Sequence, residues 1–432
     1  MTRDLRRLVA SLHVLVVCCS GVALAVPAAQ AAPQGNWTRV LTHVAATLMA
    51  TSTQRGRLVE AGPADQSRDA TASYAVVDTT HLSVVARVAT GGTIAAIALD
   101  ESAGRAYLVG AVTLPQGSAQ SYLWTVDLTS GRLMARRPFA EGGAGAIVSA
   151  VVDPRTGFVI LALGQAPSCC GTPGWGAVVL LDPGSLWMRR QPVAALPTWL
   201  AVESGTRRVV VAMTLPPSTE RGQPSTAIEG VDTAQGDVVW TRTFAYPVVA
   251  LADNPRTAEI WLLAPGGLVT RIGARTGVTT GVLPVAQRAG DPPRYASLLI
   301  DQARNVGYIS LINASTNGCE IDRADPRAGA RWRMIYQADR YVPCGTLVGV
   351  DPTTGLIVET QRTGVGVIDP SMSQTTVRVL GTATDQIPDQ AVHLLVTPRG
   401  RASFAVFVSS VPDLNQETGS TTAAGLTFVP IL

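Results

Sequence analysis

The sequence predicts an all-β fold: a single closed β-propeller of four-stranded blades, eight in number, with seven as the alternative. Three observations predict it. A short apolar run ending in Asp, a turn of Pro, Thr and Gly, and a second apolar run recur from Val151 to Leu163 and from Val348 to Glu359. Weaker copies lie at Ala98 to Gly110, Ala250 to Ala264 and Leu299 to Leu311, and a second phrase (WTVDLTSGRLMA, EGVDTAQGDVVW, TRIGARTGVTT, DRADPRAGARW) falls between them. The spacing is about 50 residues, which is the length of a four-stranded blade.

The first element is a targeting segment. Arg3, Arg6 and Arg7 precede a largely apolar run from Leu8 to Val26, and Ala29-Gln30-Ala31 fits the small-x-small pattern of a cleavage site. Residues 1–31 therefore read as a signal peptide and residues 32–432 as the propeller. The expected location is secreted, extracellular or in the cell envelope. His13 and Ser20 break the apolar run, which argues against a membrane anchor, and no later stretch is long and apolar enough to span a bilayer. Formal charge is +3 over 432 residues, which gives no electrostatic support for binding nucleic acid. Lysine is absent from the chain, so a mechanism requiring a lysine amine is excluded.

The repeat follows in order. Naming the strands of a blade a to d, the a–b turns are expected near Ser52, Glu101, Asp153, Glu203, Asp253, Asp301, Asp351 and Pro398. The c–d turns are expected near Asp78, Asp127, Asp182, Asp232, Gly273, Asp325 and Asp369. Asp caps the turn, Pro presets a negative φ and Gly takes the positive φ from which the next strand starts. Gly425 to Leu432 reads as a c strand with no d strand after it. A lone strand near residues 37–41 supplies the missing d strand and closes the ring against the C-terminal blade, which removes open edges.

Strand polarity puts all a–b and c–d turns on one face and all b–c and d–a connections on the other. The first set is short and uniform. The second is long and varied: 112–121, 164–176, 214–226, 287–295, 313–319, 337–344, 382–390 and 409–424. Long irregular loops on a rigid scaffold usually carry recognition, so the working face is expected on the b–c/d–a side. The four cysteines of the mature chain, Cys169, Cys170, Cys319 and Cys344, all fall there. Cys319 and Cys344 belong to neighbouring blades and are expected to form a disulfide; Cys169-Cys170 reads as a vicinal disulfide stiffening its loop.

Two d–a loops place Arg beside Tyr, at Arg294-Tyr295 and Arg340-Tyr341. Such a pair can bind a carboxylate or phosphate while stacking on a ring, or can serve as a local ion pair over the core. Trp175, Trp199 and Tyr246 are further candidate lining residues, with packing between blades as the other reading. Three mature histidines, His43, His81 and His393, form no triad or metal pattern, and the chain has no G-x-S-x-G elbow and no phosphate loop. No catalytic and no metal residue is therefore assigned, and no cofactor is expected.

These phrases resemble those of the YVTN-type and quinoprotein-like propellers of exported bacterial proteins, over nearly the whole mature chain. Asp232 to Trp240 looks like the tryptophan-docking phrase of quinoproteins, which implies a Trp packed between adjacent blades; Asp182 to Trp187 and Asp325 to Trp332 are shortened versions. The resemblance also implies an alternative for Cys169-Cys170, because some quinoprotein alcohol dehydrogenases hold a vicinal disulfide against pyrroloquinoline quinone with calcium. Two function classes follow. The first is a non-enzymatic, monomeric exported propeller binding a protein, peptide or glycan through the b–c/d–a face. The second is a propeller enzyme, either a quinone-dependent dehydrogenase or a lactonase-like hydrolase.

Overall fold

In a computed structural model of the chain, each Asp-turn-Gly phrase is a β-hairpin. The structure is described from residue 38 to 431, apart from 43, 45, 64–71, 140–145, 166–173, 204, 216–224, 266, 285–293, 314–317, 328–331, 338–346, 362–363, 372–377, 381–391, 397–402 and 413–421. All described residues belong to the unit Gly35–Leu432; Met1–Gln34 is a separate unit.

The described strands assemble into eight four-stranded antiparallel sheets, here called blades. Blade 1 holds β2 (Leu48–Ser52), β3 (Arg57–Pro63), β4 (Ala72–Asp78) and β5 (Ser83–Ala89). Blade 2 holds β6 (Thr93–Asp100), β7 (Arg105–Thr113), β8 (Ala119–Asp127) and β9 (Leu133–Pro138). Blade 3 is β10 (Ala146–Val152), β11 (Val159–Gln165), β12 (Trp175–Leu181) and β13 (Met188–Val193). Blade 4 is β14 (Pro197–Glu203), β15 (Arg208–Leu215), β16 (Ser225–Asp232) and β17 (Val238–Phe244). Blade 5 follows as β18 (Ala250–Asn254), β19 (Glu259–Leu263), β20 (Leu268–Gly273) and β21 (Thr279–Pro284). Blade 6 follows as β22 (Arg294–Asp301), β23 (Val306–Asn313), β24 (Gly318–Ala324) and β25 (Trp332–Gln337). Blade 7 has β26 (Leu347–Val350), β27 (Ile357–Gln361), β28 (Gly364–Ile368) and β29 (Arg378–Leu380). Blade 8 joins β30 (Val392–Val396), β31 (Ser403–Pro412) and β32 (Thr422–Pro430) to β1 (Thr38–Leu41).

Within each blade the strands have different roles, and the sequence shows why. Strands b and c are apolar at nearly every position; in β11, Val159 to Leu163 are all buried, because both faces pack against neighbouring blades. Strand d alternates toward solvent, as in β9, where Met134 is exposed. Strand a sits innermost, with β6 beside β10 and β22 beside β26.

The expectation of a closed fold is corrected in how closure is achieved. Each sheet is open, and among the described residues no hydrogen-bonded ladder joins one blade to the next. β1 completes blade 8 by pairing antiparallel with β32, Thr38 opposite Phe428 and Leu41 opposite Gly425. Side chains then join the ends of the series. Val40 of β1 packs in one cluster with Leu58 and Val77 of blade 1 and Val406, Leu426 and Phe428 of blade 8. Five of these, Leu58, Val77, Val406, Leu426 and Phe428, are fully buried, at about 1.5–3 kcal/mol of burial free energy per side chain. Equivalent clusters lie between blades 1 and 2, 2 and 3, 3 and 4, 4 and 5, 5 and 6, 6 and 7, and 7 and 8.

Several connections are shorter than expected. β8 begins at Ala119, inside the expected loop 112–121, and β31 and β32 extend to Pro412 and from Thr422, inside the expected loop 409–424.

Candidate functional site

The turn face is structural in its aspartates. Asp153 accepts from the Arg155 N–H at 3.0 Å and from Thr156 Oγ1 at 3.0 Å. In the c–d turns, hydroxyl hydrogen bonds from Ser130, Ser185 and Ser371 hold the carboxyls of Asp127, Asp182 and Asp369 below the usual carboxylate range. The repeated acids are caps.

Arginines staple neighbouring blades on this same face. Arg55 of blade 1 donates to the Glu101 carbonyl of blade 2 at 3.3 Å, and Arg304 of blade 6 to the Thr353 carbonyl of blade 7 at 3.5 Å. Arg256 of blade 5 reaches the Ala303 carbonyl of blade 6. From the d strands, Arg189 of blade 3 meets Asp237 of blade 4 at 2.6 Å, and Arg242 of blade 4 donates to the Gly277 carbonyl of blade 5 at 2.7 Å. Sequence reasoning missed these staples, because an Arg two or three residues into a turn reads as a solvated charge.

The tryptophans of the second phrase part company. Trp240 packs between blades: its indole lies against Gly230 of its own blade and Gly277 of the next, and its Nε1–H donates to the Ala274 carbonyl at 3.0 Å. Trp332 is buried and donates to the Leu283 carbonyl of the preceding blade at 3.4 Å. Trp187 is 50% exposed and packs on Phe158 within its own blade.

On the b–c/d–a face, the expected site residues fall into three groups. Trp175 opens β12, is half-buried, and donates from Nε1 to Gln165 Oε1 at 3.3 Å, while the Arg190 guanidinium lies 4.7 Å from its ring centre. Tyr246, in the connection between β17 and β18, is half-buried with its ring 5.7 Å from that of Phe244. These two are presented at the face. Trp199, third residue of β14, is also half-buried and packs on the cluster between blades 4 and 5, as Trp175 does on that between blades 2 and 3. Arg294 and Tyr295 open β22, opposite Ile312 and Leu311. Arg340, Tyr341, Cys169, Cys170 and Cys344 lie outside the described residues, as does His43. Cys319 is fully buried in β24. His393 lies in β30, and His81 is an exposed turn residue 3.3 Å from Asp78.

A pair that the sequence did not single out adds to this face. Tyr122, near the start of β8, is half-buried under the Arg136 guanidinium at 4.7 Å, and its ring stacks on that of Trp124 at 5.8 Å. Blades 2 and 3 thus repeat one device, an aromatic near the start of strand c beneath an Arg of strand d. A cation over an aromatic face holds the ring in place and contributes about 0.5–1 kcal/mol at an exposed site. The repeat did not mark the pair, since Tyr122 lies five residues before Asp127 and Trp175 seven before Asp182.

Among the described residues, no three His, Cys, Asp or Glu side chains gather as a metal site, and no helix is long and apolar enough to cross a membrane. The described carboxylates therefore offer no ligand set for the calcium of a quinone cofactor, and no step is derived through one.

No family model matches the chain, and no curated protein matches it. Among solved structures it is similar to Sqt1 of Saccharomyces cerevisiae, 13% identical over 91% of this chain and 98% of that one, with a TM-score of 0.57. It is also similar to the computationally designed Ika8 protein, 11% identical over 90% of this chain and 98% of that one, with a TM-score of 0.54. At such identities the likeness concerns the β-propeller fold alone.

Proposed function

We propose that this chain is an exported, monomeric propeller that acts by binding, not by turnover, and that it takes a protein or peptide ligand on its b–c/d–a face. The observation that carries this reading is the set of half-buried aromatics on that face in three successive blades: Tyr122 under Arg136, Trp175 under Arg190, and Tyr246 against Phe244. Rigid aromatics flanked by guanidinium groups are the side chains that dominate protein-binding hot spots, because they bury a large area at low entropic cost. Export rests on the N-terminal targeting segment. Cys319 and Cys344 form a disulfide in this reading, which is supported by Cys319 carrying no free thiol. The placement of Trp240 between blades supports a relation to quinoprotein-like propellers.

The test is to select peptides from a random library against the mature chain and to measure their affinity for Trp175→Ala and Tyr246→Ala. The expected result is a loss of tenfold or more in at least one of the two variants, on the order of 1.4 kcal/mol. Selected peptides that bind both variants as tightly as the parent would overturn the reading.

A further inference from the structure

The repeating arginine staples of the turn face fail at one place. Arg55, Arg256 and Arg304 each reach a carbonyl of the next blade, but Arg155, the corresponding residue of blade 3, makes no side-chain hydrogen bond or ion pair with any described residue. It instead lines a cleft of about 310 Å³ between blades 3, 4 and 5, together with Gly205, Thr206, Arg207, Arg208, Asp232 and Arg275. Arg207 and Arg275 are exposed and likewise have no such partner among the described residues.

Only one acid lines the cleft. Asp232 is already committed, since it pairs with Arg208 and accepts from the N–H groups of Ala234 at 2.8 Å and Gln235 at 2.9 Å. Glu203, at the end of β14, is buried, accepts from the Gly205 N–H at 2.9 Å and feels the charge of Arg155 without an ion pair to it. Three guanidinium groups therefore line the cleft with no ion-paired acid of their own among the described residues. Arg207 is also held at a φ of 54°, a backbone conformation that costs about 1–2 kcal/mol outside glycine. The same left-handed place is taken by Gly56, Gly104, Gly157 and Gly355 in four other a–b turns, by Ala258 in blade 5 and by Asn305 in blade 6, so among the described turns blade 4 is the one that presents an arginine there.

We propose that this cleft is an anion-binding site for a ligand presenting at least two negative charges, either phosphate or a pair of sulfate esters, held by the forks of Arg155, Arg207 and Arg275. Guanidinium groups donate paired N–H bonds that match the spacing of oxyanion oxygens, and uncompensated like charges raise local potential for an anion. The site lies on the opposite face from the aromatic set and does not depend on it.

The experiment is isothermal titration of the mature chain with inorganic pyrophosphate, and separately with a disulfated disaccharide, at low and high salt. Saturable binding of at least one probe, weakened tenfold or more in Arg155→Gln/Arg275→Gln and within twofold of the parent in Arg132→Gln, is the expected result. Arg132 is an exposed arginine of a blade 2 turn outside the cleft. Which probe binds tighter identifies the anion. No saturable binding of either probe, or an equal loss in Arg132→Gln, or no loss in the double variant, overturns the proposal. Both variants change exposed turn side chains, and an unchanged melting temperature confirms that they fold.

Discussion

Glu60 shows how strongly a single residue is governed by its surroundings here. It lies in β3 with no exposure to solvent, and burial raises its carboxyl from 4.5 to about 8. The carboxyl is therefore protonated in the folded chain at neutral pH and ionised in the unfolded one. The unfolded state then binds fewer protons between the two values, so stability falls as pH rises from about 4.5 to about 8. Glu60→Gln keeps the shape and removes the titration. It is expected to flatten that slope and to raise stability at pH 8 by a few kcal/mol, on the order set by the shift; urea unfolding at pH 5 and pH 8 reads it. Equal slopes in the parent and the variant would contradict the burial argument. Nothing in the sequence marked Glu60, because a Glu inside a strand reads as solvent-facing until both sheet faces are known to be covered. The aspartates of the turns were legible for the opposite reason. Asp153, Asp182 and Asp351 precede Pro, and a side chain that caps its own turn needs no distant partner.

At the scale of the element, the hairpin turn is where local chemistry and blade packing meet. Gly277 takes a φ of +66°, and a Cβ there would lie 2.6 Å from the Trp240 ring of the preceding blade. The residue thus serves two constraints, a left-handed turn and the close approach of an indole. Gly277→Ala is expected to destabilise the chain by about 2–3 kcal/mol, through αL strain and overpacking together, and to change the Trp fluorescence as the Trp240 ring is displaced. A variant that unfolds with the parent, with an unaltered spectrum, would refute this coupling. Ala258 has the same kind of backbone, at φ 53°, and Ala258→Gly should be neutral or slightly stabilising, because glycine relieves the αL strain. The turns, the strand order and the two faces were legible in the sequence, because short apolar runs and the Pro, Gly and Asp between them act locally. The staples Arg55, Arg189, Arg256 and Arg304 were not, because each partner lies about 50 residues away and is a backbone carbonyl or a turn acid with no sequence signature.

The whole molecule depends on joining the two ends of a series of open sheets. β1 contributes four residues, yet Val40 sits 7% exposed in the cluster shared by blades 1 and 8. Val40→Asp places a charge among Leu58, Val77, Leu426 and Phe428. It is expected to cost at least 3 kcal/mol, or to lower the melting temperature by several degrees, as the terminal blade separates from the first. Val40→Ile adds one methylene and no charge, and should cost about 1 kcal/mol, the low end for overpacking. Loss of stability in the second comparable to that in the first would show that the position senses volume and not the exclusion of charge.

At this scale the two faces also acquire different chemistry. The sequence directed attention to the long connections, and Trp175 and Tyr246 lie there, half-buried. It read the short turns as quiet, which holds for their aspartates but not for the cleft lined by Arg155, Arg207 and Arg275. Uniform length hid a change of composition: one turn presents arginine where its counterparts present glycine, alanine or asparagine.

The central claim, that ligand binds on the b–c/d–a face, is tested most directly by hydrogen–deuterium exchange of the mature chain with and without a library-selected peptide. The account predicts slowed exchange at the start of β12 around Trp175, at the start of β8 around Tyr122 and in the connection at Tyr246, with the a–b and c–d turns unchanged. Protection confined to the turns at Asp153, Glu203 and Asp232, with none at Trp175, Tyr122 or Tyr246, would contradict it.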